Sequence, residues 1–393
     1  MYTATKDIKL PTTITGSLPR PLWYTENLGR RCFMEAMINA RFREQYTDAV
    51  SSFLRDQEMA GLDIVTDGDA RFDTEVGGYS WFSYPLARLD GIDYSTAYGR
   101  PVLMGRVPFP RGRILHEGLE ARLQPTIAGP IGRGRLQYPP IYLTAQALTK
   151  KPIKFGTITA ELLGLALKDT HYPNRRERIL AIADAIHDEL ADVVAAGCTV
   201  VQLEEPQLHL LGLRGGVDQE MTLDFMVDVF NHTVRGLRDK AEVWGHSCWG
   251  NPSQQRMFAS NQSYKSSLEY YDRCDADVLT FETCTSGGMD LEAIGKTITG
   301  KKIAIGVIDH HTLQVETPDD VAALIRRALK WIPPERLVIS SDCGMGREGM
   351  SRKHAFFKMV ALVEGTNLVR RELGLPEAEC RAADPRYSLT LSG

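Results

Sequence analysis

The sequence lacks most features that would settle its class at a glance. No apolar run approaches the ~18 residues that a membrane span needs, and residues 1–10 lack the apolar core of a signal peptide. Charge of one sign is not in excess. The 46 Lys and Arg against 50 Asp and Glu leave a formal charge of −4, so no general pull towards nucleic acid or anionic lipid operates. The expectation is a soluble, cytoplasmic protein with neither nucleic acid nor membrane as a partner. Cysteine is sparse and odd in number, seven in 393 residues, which argues against a disulfide framework and for reduced thiols, some of them candidate ligands. At 43% hydrophobic and 24% charged residues the chain is ordinary in composition, so disorder and fibrous repeats are excluded.

What is there is an alternation. Eight short β-rich runs are each followed by a polar or helical stretch: Thr12–Thr15, Asp63–Thr66, Ile153–Ile158, Thr199–Leu203, Val243–Gly245, Asp277–Phe281, Lys302–Ile308 and Leu337–Ser340. Between them, Arg176–Ala196 carries apolar residues at helical spacing and stops at Gly197. Asp319–Trp331 does likewise, with Pro333-Pro334 closing it. Strands alternating with crossover helices imply parallel pairing, and eight such units predict an α/β fold of the (β/α)8 TIM-barrel kind. An open doubly wound sheet is the alternative, and the absence of a glycine-rich fingerprint after the first run argues against its dinucleotide-binding form.

Residues 70–151 fit no simple β/α unit. They carry Phe72, Tyr79, Trp81, Phe82, Tyr84 and Pro139-Pro140, and read as a long inserted loop at the active-site face of a single catalytic domain spanning 1–393. The Gly-Arg pairs at 105–106, 132–133 and 134–135 read as turn residues with solvated side chains rather than contacts to an anionic substrate. The tail from Pro376 onward reads as a peripheral extension that leaves room for a homo-oligomer contact.

In a β/α barrel the chemistry sits at the carboxyl ends of the strands. Those ends collect His246, Cys248, Glu282 and Cys343. A His-x-Cys within one strand puts both side chains on one face, because strand periodicity is two. Two thiolates, an imidazole and a carboxylate suit zinc far better than magnesium or calcium. A thiol bound to such an ion loses its proton near neutral pH and becomes nucleophilic. Cys274 precedes its strand and so falls at the wrong end, whereas Cys284 stays open as a substitute ligand.

Ile14-Thr15-Gly16-Ser17-Leu18-Pro19, Asp67-Gly68-Asp69, Leu203-Glu204-Glu205-Pro206, His246-Ser247-Cys248, Phe281-Glu282-Thr283, Asp309-His310-His311 and Asp342-Cys343-Gly344 occur in that order. Together they resemble the catalytic barrel of the cobalamin-independent methionine synthase family, from about Pro11 to Ala361. The resemblance implies zinc-dependent methyl transfer to a thiol, homocysteine, from a methyltetrahydrofolate or other methyl carrier. It implies His246, Cys248, Glu282 and Cys343 as zinc ligands. Ser17 would hold the amino-acid carboxylate through its backbone, and Asp69 and Glu204 its ammonium. His311 would be the general acid that protonates the leaving nitrogen, with Asp309 orienting it.

The sequence also departs from that family. It has Asp69 where the family has glutamate and Glu204 where the family has aspartate, and it carries one barrel rather than two halves. After the third run, residues 158–163 read ITAELL, with no folate-stacking tryptophan before Tyr172, and residues 77–82 are not the family's usual loop. The zinc half is intact and the folate half is altered. A related reading is therefore an epoxyalkane:coenzyme M transferase, whose sulfonate would need Arg20, Arg71, Lys154 or Arg347. Retention of Asp69 and Glu204 favours an ammonium instead. A zinc-storing protein on a barrel scaffold is the third reading, and it leaves His311 without a task.

Overall fold

The computed structural model describes residues 2–29, 31–71, 84–96, 125–204, 208–213, 220–249, 263–346 and 350–384. Nine strands lie within them: β1 (Asp90–Asp93), β2 (Thr126–Gly132), β3 (Lys154–Ile158), β4 (Lys168–Asp169), β5 (Val200–Glu204), β6 (Glu242–Ser247), β7 (Val278–Phe281), β8 (Lys302–Gly306) and β9 (Leu337–Ser340). Six form one sheet in the order β3-β5-β6-β7-β8-β9, every neighbouring pair parallel. Every residue of these six strands is buried, as expected of a parallel sheet covered on both faces.

Six of the eight β-rich runs are thus strands of this sheet. The first two are shorter than expected, each reduced to a single parallel bridge, Thr12 to Ile339 and Val65 to Ile153. Backbone bonds nevertheless run through both. Thr13 N donates to Ile339 O and Ile339 N to Pro11 O, Asp63 N and Ile64 N both donate to Thr12 O, and Lys154 N donates to Val65 O. Pro11 and Pro152 flank these pairings and have no N–H to give, which keeps the ladders short. Residues 11–13 and 63–65 thus bond both to each other and to the sheet's edge strands β9 and β3.

The helices follow their local signals. Arg175–Ala195 begins where the Asn174 side chain accepts from Glu177 N, and it ends before Gly197 at φ +105°. Pro318–Ala328 carries a capping box, in which Thr317 Oγ1 accepts from Asp320 N while Asp320 Oδ2 accepts from Thr317 N. It buries Val321, Ala322, Leu324, Ile325 and Ala328, and stops short of the expected Trp331. Among the described residues no helix is long and apolar enough to cross a membrane.

The inserted region differs from a plain loop. Its described part holds the helix Tyr138–Gln146 and two strands of a second sheet, β1 and the central β2, antiparallel to each other, and β4 from beyond the insertion pairs parallel to β2. Tyr84 and Tyr138 are buried there, and the Tyr138 hydroxyl lies 2.9 Å from Thr157 Oγ1 on β3. Phe72, Tyr79, Trp81, Phe82 and Gly105-Arg106 lie outside the described residues. Arg133 and Arg135 are held in ion pairs, to Glu189 and Asp192 and to Glu35 respectively. They are surface ties, in keeping with the turn reading.

Candidate metal centre and the adjoining pocket

The parallel register brings the chemistry-bearing residues together. His246 is the fifth residue of β6 and pairs with Glu204 of β5 on one side and Thr280 of β7 on the other. The strand thus runs further than Val243–Gly245. Cys248 follows two residues later on the same face, and Cys343 enters from the loop after β9. The ligand atoms of His246, Cys248 and Cys343 all lie within 4.8 Å of one another, and all three residues are buried. The two sulfurs stand 3.4 Å apart. A tetrahedral ion with Zn–S bonds of ~2.3 Å would spread them to about 3.8 Å, so a small opening of the pair admits one. Two soft sulfurs and one imidazole in a buried cluster fit zinc.

Glu282 is set apart from that trio. One of its oxygens accepts from Trp249 N at 2.7 Å, and the other accepts from the Thr285 hydroxyl. Burial, and then the neighbouring Asp342, push its carboxyl well above the usual range. Asp342 itself is raised to about 7 by burial, against the pull of three amides: Thr283 N and Cys284 N bond Oδ1, and Thr285 N bonds Oδ2, at 2.8–2.9 Å. Asp342 therefore folds the 283–285 turn that carries the partner of Glu282. The sequence alone gave it no such role, because the signal lies in three backbone donors from another strand's loop. Cys284 takes part only through its amide. Its sulfur is absent from the clustered trio, and burial pushes its thiol up. Cys274 bonds the Tyr270 carbonyl and is also outside the cluster.

Gly306, the last residue of β8, makes room for this arrangement. A Cβ there would stand 2.5 Å from Asp342 Cα and 2.7 Å from its nitrogen, backbone atoms that cannot swing aside. Gly306→Ala is expected to lower the denaturation midpoint by the equivalent of about 1–3 kcal/mol, and equilibrium unfolding in urea would measure it.

Ser17, Asp69 and Glu204 meet beside the trio. The 16–18 turn is bonded on two sides. Thr66 Oγ1 donates to Gly16 O and Gly68 O accepts from Leu18 N, while Met345 N donates to Ser17 O and Gly346 N to Ser17 Oγ. Gly68 and Asp69 both take left-handed backbone, φ +67° and +51°. The strained turn aims the Asp69 side chain at Gly16, and a Cβ on Gly16 would lie 2.9 Å from Asp69 Oδ2 and 3.3 Å from Glu204 Oε1. Arg71 pairs with Asp67 at 3.1 Å and Asp69 at 3.5 Å, and also donates to Gly156 O. Gln202 Nε2 bridges Glu204 Oε1 and Thr15 O. Below them Lys154 donates to Ile14 O at 2.7 Å. Burial pushes its ammonium down to about 7, with Glu204 and then Asp69 pulling the other way. Glu205 and Arg347 lie outside the described residues.

His311 sits after β8. Asp309 Oδ1 accepts from both its backbone N, at 2.7 Å, and its ring Nδ1, at 3.2 Å. Burial works to raise Asp309, but these bonds from His311 and the nearby Lys358 hold it below the usual carboxylate range. The His310 ring lies tilted at 43° to that of His311, with 3.7 Å between centroids.

Known proteins share this architecture. The family described as "Cobalamin-independent synthase, Catalytic domain" matches residues 111–365. The chain is 28% identical to a methionine synthase of Saccharolobus solfataricus over 93% of its own length and 96% of that protein's. It is 29% identical to a 2-hydroxypropyl-CoM lyase of Xanthobacter autotrophicus, over 94% and 97% of the two chains. A B12-independent methionine synthase from Shewanella sp. W3-18-1, solved in complex with selenomethionine, superposes with a TM-score of 0.74 at 26% identity, covering 93% of this chain and 99% of that one. The residues matched by the family profile include the His246, Cys248 and Cys343 trio and the 309–311 loop. The chain is an enzyme of the cobalamin-independent methionine synthase family.

Proposed function

We propose that the protein transfers a methyl group to the thiol of homocysteine, at a zinc ion held by His246, Cys248 and Cys343 with Glu282 as the fourth ligand. The fold in this reading is a single (β/α)8 barrel over residues 1–393, with residues 11–13 and 63–65 taking the first two strand places and 70–151 as its insertion. The observation that carries the choice of acceptor is the convergence of Asp69 and Glu204 on Gly16, with Glu204 paired in register to His246. Two carboxylates one strand away from a ligand suit a small thiol that also bears an ammonium group. The selenomethionine in the Shewanella relative is an amino acid, which supports the same choice.

Zinc, when bound, supplies a thiolate at neutral pH. The chain's residues do the rest. Asp69 and Glu204 hold the ammonium, and the backbone at Ser17 takes the carboxylate, which orients the sulfur towards the donor. Asp309 accepts a hydrogen bond from the Nδ1–H of His311 and so favours its imidazolium form, which gives the Nε2 proton to an amine-type leaving group and is left as the neutral Nδ1–H ring. The donor is a methyltetrahydrofolate or another methyl carrier.

The similarity to the 2-hydroxypropyl-CoM lyase supports a second reading, with coenzyme M as the thiol. Of the cations that could meet a sulfonate, Arg71 and Lys154 are engaged in the buried network, and Arg20 lies 3.5 Å over Tyr24 and bonds Glu26 O. Zinc X-ray absorption on the metal-loaded protein separates the two readings. A resting shell with two sulfurs that gains a third with homocysteine but not with coenzyme M is the expected result. Gain only with coenzyme M replaces the first reading by the second, and a protein that takes up no zinc refutes both.

A further inference from the structure

Lys358 lies in the second turn of the helix Arg352–Glu372 and is fully buried. A lysine is almost never buried without a partner. Here the ammonium donates to Gln314 O at 2.6 Å, to Asp309 O at 2.9 Å and to both carboxylate oxygens of Glu316 at 2.9 Å, so its three N–H groups are all engaged. Glu316 Oε1 accepts in turn from Asp309 N at 2.8 Å. One ion pair thus holds both backbone groups of Asp309 and closes the segment from Asp309 to Glu316 on itself. The ends of that segment are fixed separately. Val307 N donates to Ser340 O and Asp342 N to Ile308 O, while Glu316 runs straight into the capping box at Thr317. The helix that carries Lys358 is also seated closely, for a Cβ on Gly365 would stand 2.6 Å from Pro318 O. Within the closed segment, His311 gives its backbone N–H and its ring Nδ1–H to Asp309 Oδ1.

We infer that the Lys358–Glu316 pair positions His311 for proton delivery, by fixing the backbone of the Asp309 that holds its ring. The inference rests on the reading of His311 as the general acid. Neither Lys358 nor Glu316 belongs to the sulfur trio, and their bonds reach the His311 ring through Asp309. An apolar pair would fill the space between helix and loop with less desolvation, but it would withdraw the partners of Asp309 N, Asp309 O and Gln314 O. Proton transfer needs its donor within hydrogen-bond reach of the leaving atom, and a displacement of about 1 Å costs about 10²-fold in rate. Both are positioning residues, since they act on the reaction through His311.

The test is a double-mutant cycle with a spectroscopic check, on the zinc-loaded full-length protein. Lys358→Met keeps the length of the side chain and removes the ammonium. With methyltetrahydrofolate and homocysteine it is expected to lower kcat about 10²-fold, while zinc content and the Kd of homocysteine hold. In the His311→Asn background the same substitution should change kcat by less than about twofold, because a residue that acts through His311 has nothing left to act on. In protein carrying isotope-labelled histidine, the Nδ1–H signal of His311 is the one missing from His311→Asn. It should weaken or vanish in Lys358→Met. Lys358→Met/Glu316→Gln leaves no unpaired buried charge. It should reproduce both losses, and it serves where the single variant fails to fold. An equal loss of kcat in both backgrounds, or an unchanged His311 signal in Lys358→Met, overturns the inference while the general-acid reading stands. A His311→Asn protein with wild-type kcat overturns both. Where the wild type accepts only another methyl carrier, the histidine signal decides the inference alone.

Discussion

Cys343→Ser is expected to lose zinc and activity together while the protein stays folded. Serine is nearly isosteric with cysteine, and the site is buried at 5% exposure, so the substitution leaves the packing intact. What changes is the donor. A thiol gives up its proton to the ion near neutral pH, whereas a hydroxyl gives a hard, largely protonated oxygen. An outer partner of a metal ligand is worth about 10–100-fold in affinity, so loss of a ligand itself should exceed that. Competition with a chromophoric chelator would measure affinity, elemental analysis the content, and circular dichroism the fold. Cys248, 3.4 Å from Cys343 across the cluster, should behave in the same way. Cys284→Ser is the control, because its sulfur is not among the clustered ligand atoms and its zinc should be unchanged. A Cys343→Ser protein that keeps full zinc removes Cys343 from the site.

His311→Asn should lower kcat by about 10²–10⁴, the usual worth of a positioned general acid. Zinc content and thiol affinity should hold, because His311 belongs to the 309–311 group and not to the sulfur trio. The leaving group decides how far the rate falls. A donor whose methyl leaves from a nitrogen needs a proton, and a methylsulfonium donor needs none. Equal rates of variant and wild type with a sulfonium donor, together with the full loss on a methylfolate, would assign His311 to proton delivery. An equal loss with both donors would make it a structural residue. Asp309→Asn should have a smaller effect in the same direction. Asp309 is held below the usual carboxylate range, so its hold on His311 is in place above about pH 3.9 and is lost as the pH falls through its folded-state value.

Much of the molecule was legible in the linear order of residues. Six of the eight β-rich runs became strands because each is a short apolar stretch that must be buried on both faces, and the caps at Asn174 and Thr317 set their helices locally. The first two runs were overestimated, since Pro11 and Pro152 cut their ladders and a propensity reading does not count donors. The His-x-Cys pair was legible because a period of two is a local rule. Cys343 was legible as a thiol at a strand end, whereas Cys284 stayed open as a substitute until register and loops left its sulfur outside the cluster.

The sequence by itself determined which residue types were available: two soft sulfurs and an imidazole, two carboxylates, and a histidine two residues from an aspartate. Their order along the chain placed each at the end of a strand. Only the tertiary structure decided what each of them touches. Glu282 is turned to Trp249 and Thr285 because Asp342, 60 residues on, gathers three amides of the intervening loop. Lys154 was legible as one cation among several. It came to lie beside the Gly16 turn because the fold brings Lys154 and Ile14, 140 residues apart, within hydrogen-bonding distance. Short-range periodicity fixes the face on which a side chain lies. The charge it meets there is set by chain segments far apart in sequence, and these come together only when the chain folds.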